Sequence, residues 1–137
     1  MPRHRSGPIC PSCSNKLEKA HHELLFWFTW CKGMNANAHI SWAYRGEKEQ
    51  NEAFEKGLSK AQYPKSPHNH TDENGNPEAY ALDIFELTEE NTARFEKSWY
   101  EKIWLETMEA GWDDIEWGGN FKTQKGDLNH FQLKEKV

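Results

Sequence analysis

Asp83 is the first residue whose position calls for a chemical explanation. It lies in the middle of "AYALDIFEL", a segment that is otherwise mostly apolar and alternates in the manner of a β-strand. A carboxylate enclosed in such a strand without a partner costs on the order of several kcal/mol. Asp83 therefore needs a cation or strong hydrogen-bond donors, unless its face of the strand is open to solvent.

Three histidines could contribute to a site around this carboxylate. His68 and His70 lie in the polar loop before the strand, and His130 lies in the C-terminal segment "NHFQL". Each has an ordinary structural explanation alone, but two imidazoles and one carboxylate suit Zn²⁺ with one coordination position left open. Asp127, three residues before His130, could then act as the general base without being a ligand.

The elements that must position these residues come in a mixed order. They are a helix capped by Asn15 and ended by Gly33, a strand in "HISWAYR", a helix closed by Gly57, a strand in "AYALDIFEL", a helix capped by Thr88 and ended by Gly111, and short strands at Ile115–Trp117 and Asn129–Leu133. This order predicts an α+β fold rather than repeating βαβ units. We expect residues 1–13 to be a flexible leader and residues 14–137 to be one domain.

Composition and charge exclude several classes of protein. Of the 137 residues, 36% are hydrophobic, and seven Trp and seven Phe can supply a compact aromatic core. The net charge of −5 disfavours nucleic-acid binding. The apolar run "ELLFWFTWC" is too short to span a bilayer, and no signal peptide is visible. We expect a monomer, made in the cytoplasm without stable membrane insertion.

The three cysteines do not indicate a disulfide framework, because their number is odd. The segment "CPSC" is half of a zinc ribbon, in which Cys10, Cys13 and either His21 or His22 would be ligands. The second cysteine pair of a ribbon is missing. We therefore prefer to interpret Cys10 and Cys13 as part of a mobile leader or as buried thiols.

Four separated segments carry a resemblance to a known family. The segments "AYRGEKEQ", "SPHNH…ALDIFEL", "EWGGNF" and "GDLNHFQL" occur in this order between residues 37 and 133. They resemble the D-Ala-D-Ala carboxypeptidase and L-alanyl-D-glutamate endopeptidase family of zinc peptidases, and within it the small single-domain endolysins of bacteriophages. The resemblance implies a small antiparallel sheet with helices packed beside it, a fold shared with hedgehog-type domains.

The resemblance also implies roles for individual residues. The implied zinc ligands are His68, Asp83 and His130, the implied catalytic residues are Asp127 as general base and Arg45 at the substrate carbonyl or a carboxylate, and the implied substrate-binding residues are Ser66, Tyr44 and Gln50. Gln132 stands where the family usually has Glu.

The loop between the first two implied ligands is longer than is usual in the family. Fourteen residues separate His68 from Asp83, and we interpret the segment "HTDENGNPEA" as an insertion. Because His70 lies at its start, His70 is an alternative candidate for the first ligand. We prefer His68 because Ser66 keeps its place two residues before it.

Part of this insertion also resembles a calcium loop. Asp72, Asn74 and Asn76 lie at alternate positions, but the closing Glu of such a loop is missing. A solvated Asn-Gly turn is therefore preferred.

The sequence thus predicts a zinc endopeptidase that cleaves the stem peptide of bacterial peptidoglycan at the L-Ala–D-Glu bond. It would act at the cell wall in phage-mediated host lysis. Two alternatives stay open: a D-Ala-D-Ala carboxypeptidase of the same family, and a non-catalytic zinc-binding module of hedgehog-type fold. A nucleic-acid-binding zinc ribbon has only "CPSC" in its favour and the wrong charge.

Overall fold

The described part of the chain forms five antiparallel strands and four helices. The computed structural model describes residues 9–59, 61–120 and 127–134. The elements are α1 (Pro11–Leu17), α2 (His22–Met34), β1 (Ala38–Trp42), α3 (Glu47–Glu55), a 3₁₀ turn at Pro67–Asn69, β2 (Ala81–Leu87), β3 (Ala93–Arg94), α4 (Lys97–Glu109), β4 (Ile115–Trp117), a 3₁₀ turn at Gly118–Asn120 and β5 (His130–Leu133). This α+β architecture confirms the predicted fold class.

The order of the strands places β5, near the C-terminus, beside β2 from the middle of the chain. The sheet runs β1-β2-β5-β4, and the short β3 pairs with the end of β2. Asp83 of β2 lies directly opposite His130 of β5 and pairs on its other side with Trp42 of β1. The register shifts between Ile40 and Trp42. A carboxylate and an imidazole thus become neighbours although 47 positions separate them in the chain.

The core lies on the face of the sheet opposite to the site. Leu82, Ile84 and Phe131 point into it from β2 and β5, and all three are fully buried. Trp27 of α2 packs on Phe131 with the ring centroids 4.9 Å apart. The Trp27 indole N–H donates to Thr107 Oγ1 of α4 at 3.1 Å, so one buried hydrogen bond joins the two main helices. The expected aromatic core is present.

The helix predicted to run from Asn15 to Gly33 is in fact two helices. α1 ends at Leu17, and α2 begins at His22. Between them the backbone makes a bridge with the strand-like segment before β2: Ala79 N donates to Lys19 O, and His21 N donates to Ala79 O. The predicted cap Asn15 lies inside α1. The apolar spacing continued across the break, which is why the periodicity concealed it.

The N-terminal boundary of the folded part also differs from the expectation. α1 starts at Pro11, a residue suited to the first helical position, and Cys13 and Leu17 are buried in the core. The predicted boundary between a leader ending at residue 13 and a domain starting at residue 14 therefore falls inside a packed helix. Residues 1–8 lie outside the described residues.

The helix after β2 begins later than predicted. Thr88 does not cap it but closes the turn between β2 and β3, where its N–H donates to Thr92 O at 2.8 Å. α4 begins at Lys97, and Gly111 follows its end with a positive φ of 83°, as predicted for its stop signal. Within the described ranges, no helix combines the length and apolar character needed to cross a bilayer.

Candidate metal centre

Asp83 is the centre of a buried polar cluster. Its Oδ2 accepts from Arg45 Nη2 at 3.2 Å, while its Oδ1 lies 3.3 Å from His68 Nε2 and 3.1 Å from His130 Nδ1. Burial by itself would raise the pKa of Asp83, but the positive charge of a protonated His68 ring and the hydrogen bond with His130 outweigh it and hold the pKa below its usual range. The carboxylate is therefore ionised, which is the state that a metal ligand requires.

His68 reaches this carboxylate from the 3₁₀ turn at Pro67–Asn69. Ser66 caps the turn, since its Oγ accepts from His68 N at 3.2 Å. The His68 ring is fixed by Nδ1, which lies 2.7 Å from the carbonyl oxygen of Ala43. Because a carbonyl can only accept, Nδ1 carries the proton and Nε2 of the neutral ring presents a lone pair.

The lone pair of His68 Nε2 points at another acceptor. Among the described residues, no hydrogen-bond partner meets this buried nitrogen, and the nearest charged atom is Asp83 Oδ1 at 3.3 Å. Two acceptors facing each other in a dry site repel, and each would lose free energy by being desolvated unpaired. A cation placed between them removes both penalties.

His130 is oriented by a chain of polar groups along β4 and β5. Gln132 Nε2 donates to Glu116 Oε1 at 3.2 Å, which turns Gln132 Oε1 toward His130 Nε2 at 2.8 Å. His130 Nε2 must then donate, and Nδ1 presents its lone pair to Asp83 in the neutral ring. Burial lowers the pKa of His130, but the carboxylate of Asp83 outweighs burial and raises it. Without a metal, a proton on His130 pairs with Asp83, and a cation would take the place of that proton.

The three donor atoms have the spacing that zinc requires. His68, Asp83 and His130 each offer one ligand atom, all within 4.8 Å of one another. A tetrahedral zinc with its usual bond lengths holds nitrogen and oxygen ligands about 3.3–3.5 Å apart. The two distances to Asp83 Oδ1, 3.3 and 3.1 Å, lie near this range. The residues present fit a zinc ion in donor type, protonation and spacing.

His70, the rival ligand, lies outside this cluster. Its Nδ1 is 2.9 Å from the carbonyl oxygen of Glu78, and its ring stacks on Tyr80 with a centroid distance of 3.6 Å. The preference for His68 over His70 agrees with this arrangement. It also shows what the insertion does, because it carries His70 away from the site.

The remainder of the insertion forms a turn around the side chain of Asp72. Asp72 Oδ1 accepts from the backbone N–H groups of Asn74 and Asn76 at 2.8 and 2.9 Å, and Gly75 has a φ of 81°. The hydrogen bond from Asn76 is the main cause of a lowered pKa at Asp72. The preferred interpretation, an Asn-Gly turn, is confirmed.

Asp127 lies half-buried at the start of the segment that leads into β5. Its carbonyl oxygen accepts from His130 N at 3.3 Å. Burial raises the pKa of its side chain, and Asp83 adds to the rise, while His130, His68 and Arg45 act against it. All these charges belong to the cluster around Asp83. A carboxylate with a raised pKa beside a metal site is suited to take up and return a proton.

Gly118 allows the approach of Asp127. A Cβ built on Gly118 would lie 2.4 Å from the Asp127 carbonyl oxygen, 3.1 Å from Asp127 Cβ and 3.0 Å from His130 Cβ. No side chain fits there. The 3₁₀ turn after β4 can pack against these two residues only because position 118 lacks a Cβ.

Arg45 closes the cluster on the side of Asp83 Oδ2. Its side chain is buried, and Cζ lies 5.0 Å from the centre of the Trp42 ring. The backbone of Arg45 is held as well, since its N–H donates to His68 O and its carbonyl accepts from Asn69 Nδ2, both at 2.9 Å. Arg45 and the turn that carries His68 are therefore one locally bonded unit.

The three predicted substrate-binding residues occupy different environments. Tyr44 is half-buried, and burial followed by its interactions with Tyr63 raises its pKa. Ser66 is buried and uses its hydroxyl to cap the turn of His68. Gln50 is fully buried, and its amide donates to Ser59 Oγ and to the carbonyl of residue 61. Gln50 therefore supports the loop instead of facing a substrate, which corrects that prediction.

Two groups that shape the site were missed in the sequence. One is the carbonyl of Ala43, which selects the tautomer of His68; the other is Glu116, which orients Gln132. Glu116 and Gln132 are register partners across β4 and β5. The alternation of both strands was visible in the sequence, but their register was not, and only the register reveals this pair.

Comparisons with known proteins give a match at the level of the fold. No protein-family profile matches the sequence, and a search of curated proteins finds no similar sequence. Among solved structures, the chain is similar to that of the Serratia marcescens L-Ala D-Glu endopeptidase ChiX. The TM-score is 0.72 at 22% sequence identity, and the match covers 94% of this chain and 91% of that one. The fold is therefore that of this endopeptidase.

Proposed function

We propose that the protein is a zinc-dependent peptidoglycan endopeptidase that hydrolyses the L-Ala–D-Glu bond of the stem peptide. The observation that carries the proposal is the meeting of three ligand atoms, from His68, Asp83 and His130, beside the half-buried carboxylate of Asp127. The fold of an L-Ala D-Glu endopeptidase and the motif resemblance support the same bond.

The chain's own residues divide the work of hydrolysis. A zinc ion, when bound, supplies Lewis-acid chemistry: it polarises a carbonyl oxygen and makes a water molecule acidic at neutral pH. Asp127 accepts the proton of the attacking water and returns it to the departing amine, so that the proton count is unchanged over the cycle. Its raised pKa brings the carboxyl nearer to the value at which it can do both.

Arg45 favours cleavage of an internal bond over removal of a terminal residue. A carboxypeptidase needs an accessible cation for the free carboxylate of its substrate. Arg45 is only 8% exposed and is engaged by Asp83. We therefore assign Arg45 to holding the carboxylate ligand and adding positive charge near the developing oxyanion. This setting supports the endopeptidase over the D-Ala-D-Ala carboxypeptidase.

The non-catalytic alternative is less well supported because of Asp127. A module that only binds zinc has no use for a carboxylate enclosed beside the ligands, where burial raises its pKa. Keeping it there also requires a glycine at position 118. Closeness to phage endolysins, action in host lysis and a monomeric state are predictions from the sequence and form part of this proposal.

Digestion of purified peptidoglycan tests the proposal directly. We expect new amino termini at D-Glu, identified by mass, and none in the presence of a chelator. Asp127→Asn should keep its zinc and lose activity by at least about a hundredfold, the range typical for removal of a general base. Release of single alanines would support the carboxypeptidase, and zinc binding without any cleavage would support the inert module.

His70→Ala is the matched control for His68→Ala. Both variants remove one imidazole from the same loop, but only His68 points at Asp83. We expect His68→Ala to lose the zinc ion held beside Asp83 together with activity, and His70→Ala to keep both. The reverse result would refute the ligand assignment.

A further inference from the structure

A second group of metal-ligand side chains lies away from the site around Asp83. Cys10 Sγ and Cys13 Sγ lie 3.7 and 3.5 Å from His39 Nδ1, and the three ligand atoms are within 4.8 Å of one another. From this geometry we infer a second metal site, in which Cys10, Cys13 and His39 hold a zinc ion that fastens α1 to β1. The proposed peptidase function does not use this site.

The spacing of the three atoms supports a single tetrahedral ion. Zinc with bonds of about 2.3 Å to sulfur and 2.0–2.1 Å to nitrogen holds a sulfur and a nitrogen ligand about 3.5–3.6 Å apart. Both sulfur-to-nitrogen distances agree with this value within about 0.1 Å. Two thiolates and one imidazole are also the soft and borderline donors that zinc prefers.

The backbone around Cys13 is arranged for a thiolate ligand. Ile40 N donates to Cys13 Sγ at 3.3 Å, and an N–H donor stabilises negative charge on sulfur. Without a cation, burial raises the pKa of Cys13 to about 11, so the thiol keeps its proton at neutral pH. A metal ion displaces that proton, as it does at other thiolate sites. Cys10 is half-buried, whereas Cys13 is buried.

Lys32 lies on the other side of the His39 ring from the two sulfur atoms. Its Nζ lies 2.6 and 3.0 Å from the carbonyl oxygens of Ala36 and Ala38, and 3.5 Å from His39 Nε2. The contact with Lys32 is therefore at Nε2, and Nδ1 is the ring nitrogen that faces the two sulfur atoms.

The site replaces the half ribbon considered from the sequence. That interpretation paired Cys10 and Cys13 with His21 or His22, but His21 Nδ1 instead accepts from Glu23 N at the start of α2. The ribbon spacing could not indicate His39, because it lies 26 positions after Cys13 in the chain. The ion would join two segments that the chain itself links only through α2.

Metal content and cobalt spectra test this site separately from the site around Asp83. We expect two zinc ions per chain. Cys10→Ser should keep only the ion beside Asp83, and His68→Ala should keep only the ion held by Cys10, Cys13 and His39. With Co²⁺, a sulfur-to-cobalt charge-transfer band should persist in His68→Ala and vanish in Cys10→Ser. Cys31→Ala is the control, because Cys31 is a buried cysteine outside the cluster, and it should keep the band.

A measurement on the unaltered chain covers the case in which Cys10→Ser does not fold. Zinc should slow alkylation of Cys10 and Cys13 by at least tenfold and leave Cys31 unchanged. Four results would each overturn the inference. The first two are a single zinc ion per chain that is lost entirely in His68→Ala, and absence of the cobalt band. The other two are equal alkylation with and without zinc, and a Cys10–Cys13 disulfide in protein kept under argon. None of these results bears on whether the protein cleaves peptidoglycan.

Discussion

Replacing Gly118 with alanine should disturb catalysis through the backbone of Asp127. The new Cβ would lie 2.4 Å from the Asp127 carbonyl oxygen, whereas real Cβ contacts stay beyond 3.0 Å, so these groups must separate by at least about 0.6 Å. The neighbours are the backbone of Asp127 and the Cβ of His130, neither of which is the end of a flexible side chain. The strain must therefore move Asp127 or His130, which are the proposed general base and one of the proposed zinc ligands.

The expected size of the effect follows from this displacement. Overpacking at an enclosed position costs roughly 1–3 kcal/mol of unfolding free energy. A misplacement of about 1 Å in a catalytic group can reduce the rate about a hundredfold, so 0.6 Å should reduce kcat/KM about tenfold to a hundredfold. The zinc should still bind when supplied in excess, because the three ligand side chains are all present.

Gly33→Ala provides the matched control. Gly33 lies in α2, and a Cβ there meets nothing within 4 Å. Alanine should raise the unfolding free energy by roughly 0.5–1 kcal/mol, the usual gain over glycine in a helix, and leave kcat/KM unchanged. Peptidoglycan cleavage at saturating zinc and urea unfolding would be measured on both variants. Normal activity in Gly118→Ala would refute the packing argument for Asp127.

Three further substitutions test other parts of the structure. Gln132→Glu should lower the unfolding free energy by roughly 0.2–1 kcal/mol, because the new carboxylate faces Glu116 across the strands. Adding Glu116→Gln to the same chain should restore the unfolding free energy. Urea unfolding of the single and double variants measures this coupling. Arg45→Lys should keep zinc but lower peptidoglycan cleavage at least tenfold, because a lysine cannot reproduce the planar contact; unchanged cleavage would contradict this. Thr107→Val should lower the unfolding free energy by roughly 1–3 kcal/mol, because it leaves the Trp27 N–H buried without its acceptor. Thermal unfolding measures this loss, and the zinc content should not change.

The strands, and the need of Asp83 for a partner, could be predicted because their signals are local. β2 and β4 show their alternation within a few residues, and a carboxylate in an apolar strand indicates a partner without knowledge of the fold. The preference for His68 came from the family resemblance, in which Ser66 keeps its place two residues before it. In the structure the same serine caps the turn of His68. These parts of the structure follow from neighbours in the sequence.

The parts that could not be predicted depend on pairings between distant segments. The break between α1 and α2 is made by Ala79, some sixty residues later in the chain. His39 joins Cys10 and Cys13 only because β1 packs beside α1. The burial of Gln50 depends on a loop that folds back onto α3. Periodicity and spacing contain no information about such contacts.

The longer loop between His68 and Asp83 leaves the site intact because the insertion closes on itself. Glu78 N donates to His70 O, and Tyr80 N donates to Pro67 O, both at 2.9 Å, so the chain leaves and returns at adjacent points. Thr71 and Pro77 form a bridge within the excursion. The separation between His68 and Asp83 is thus set by the base of this loop and not by its length. Loop closure becomes only slightly less favourable with added residues, so the loop can be lengthened without moving either residue.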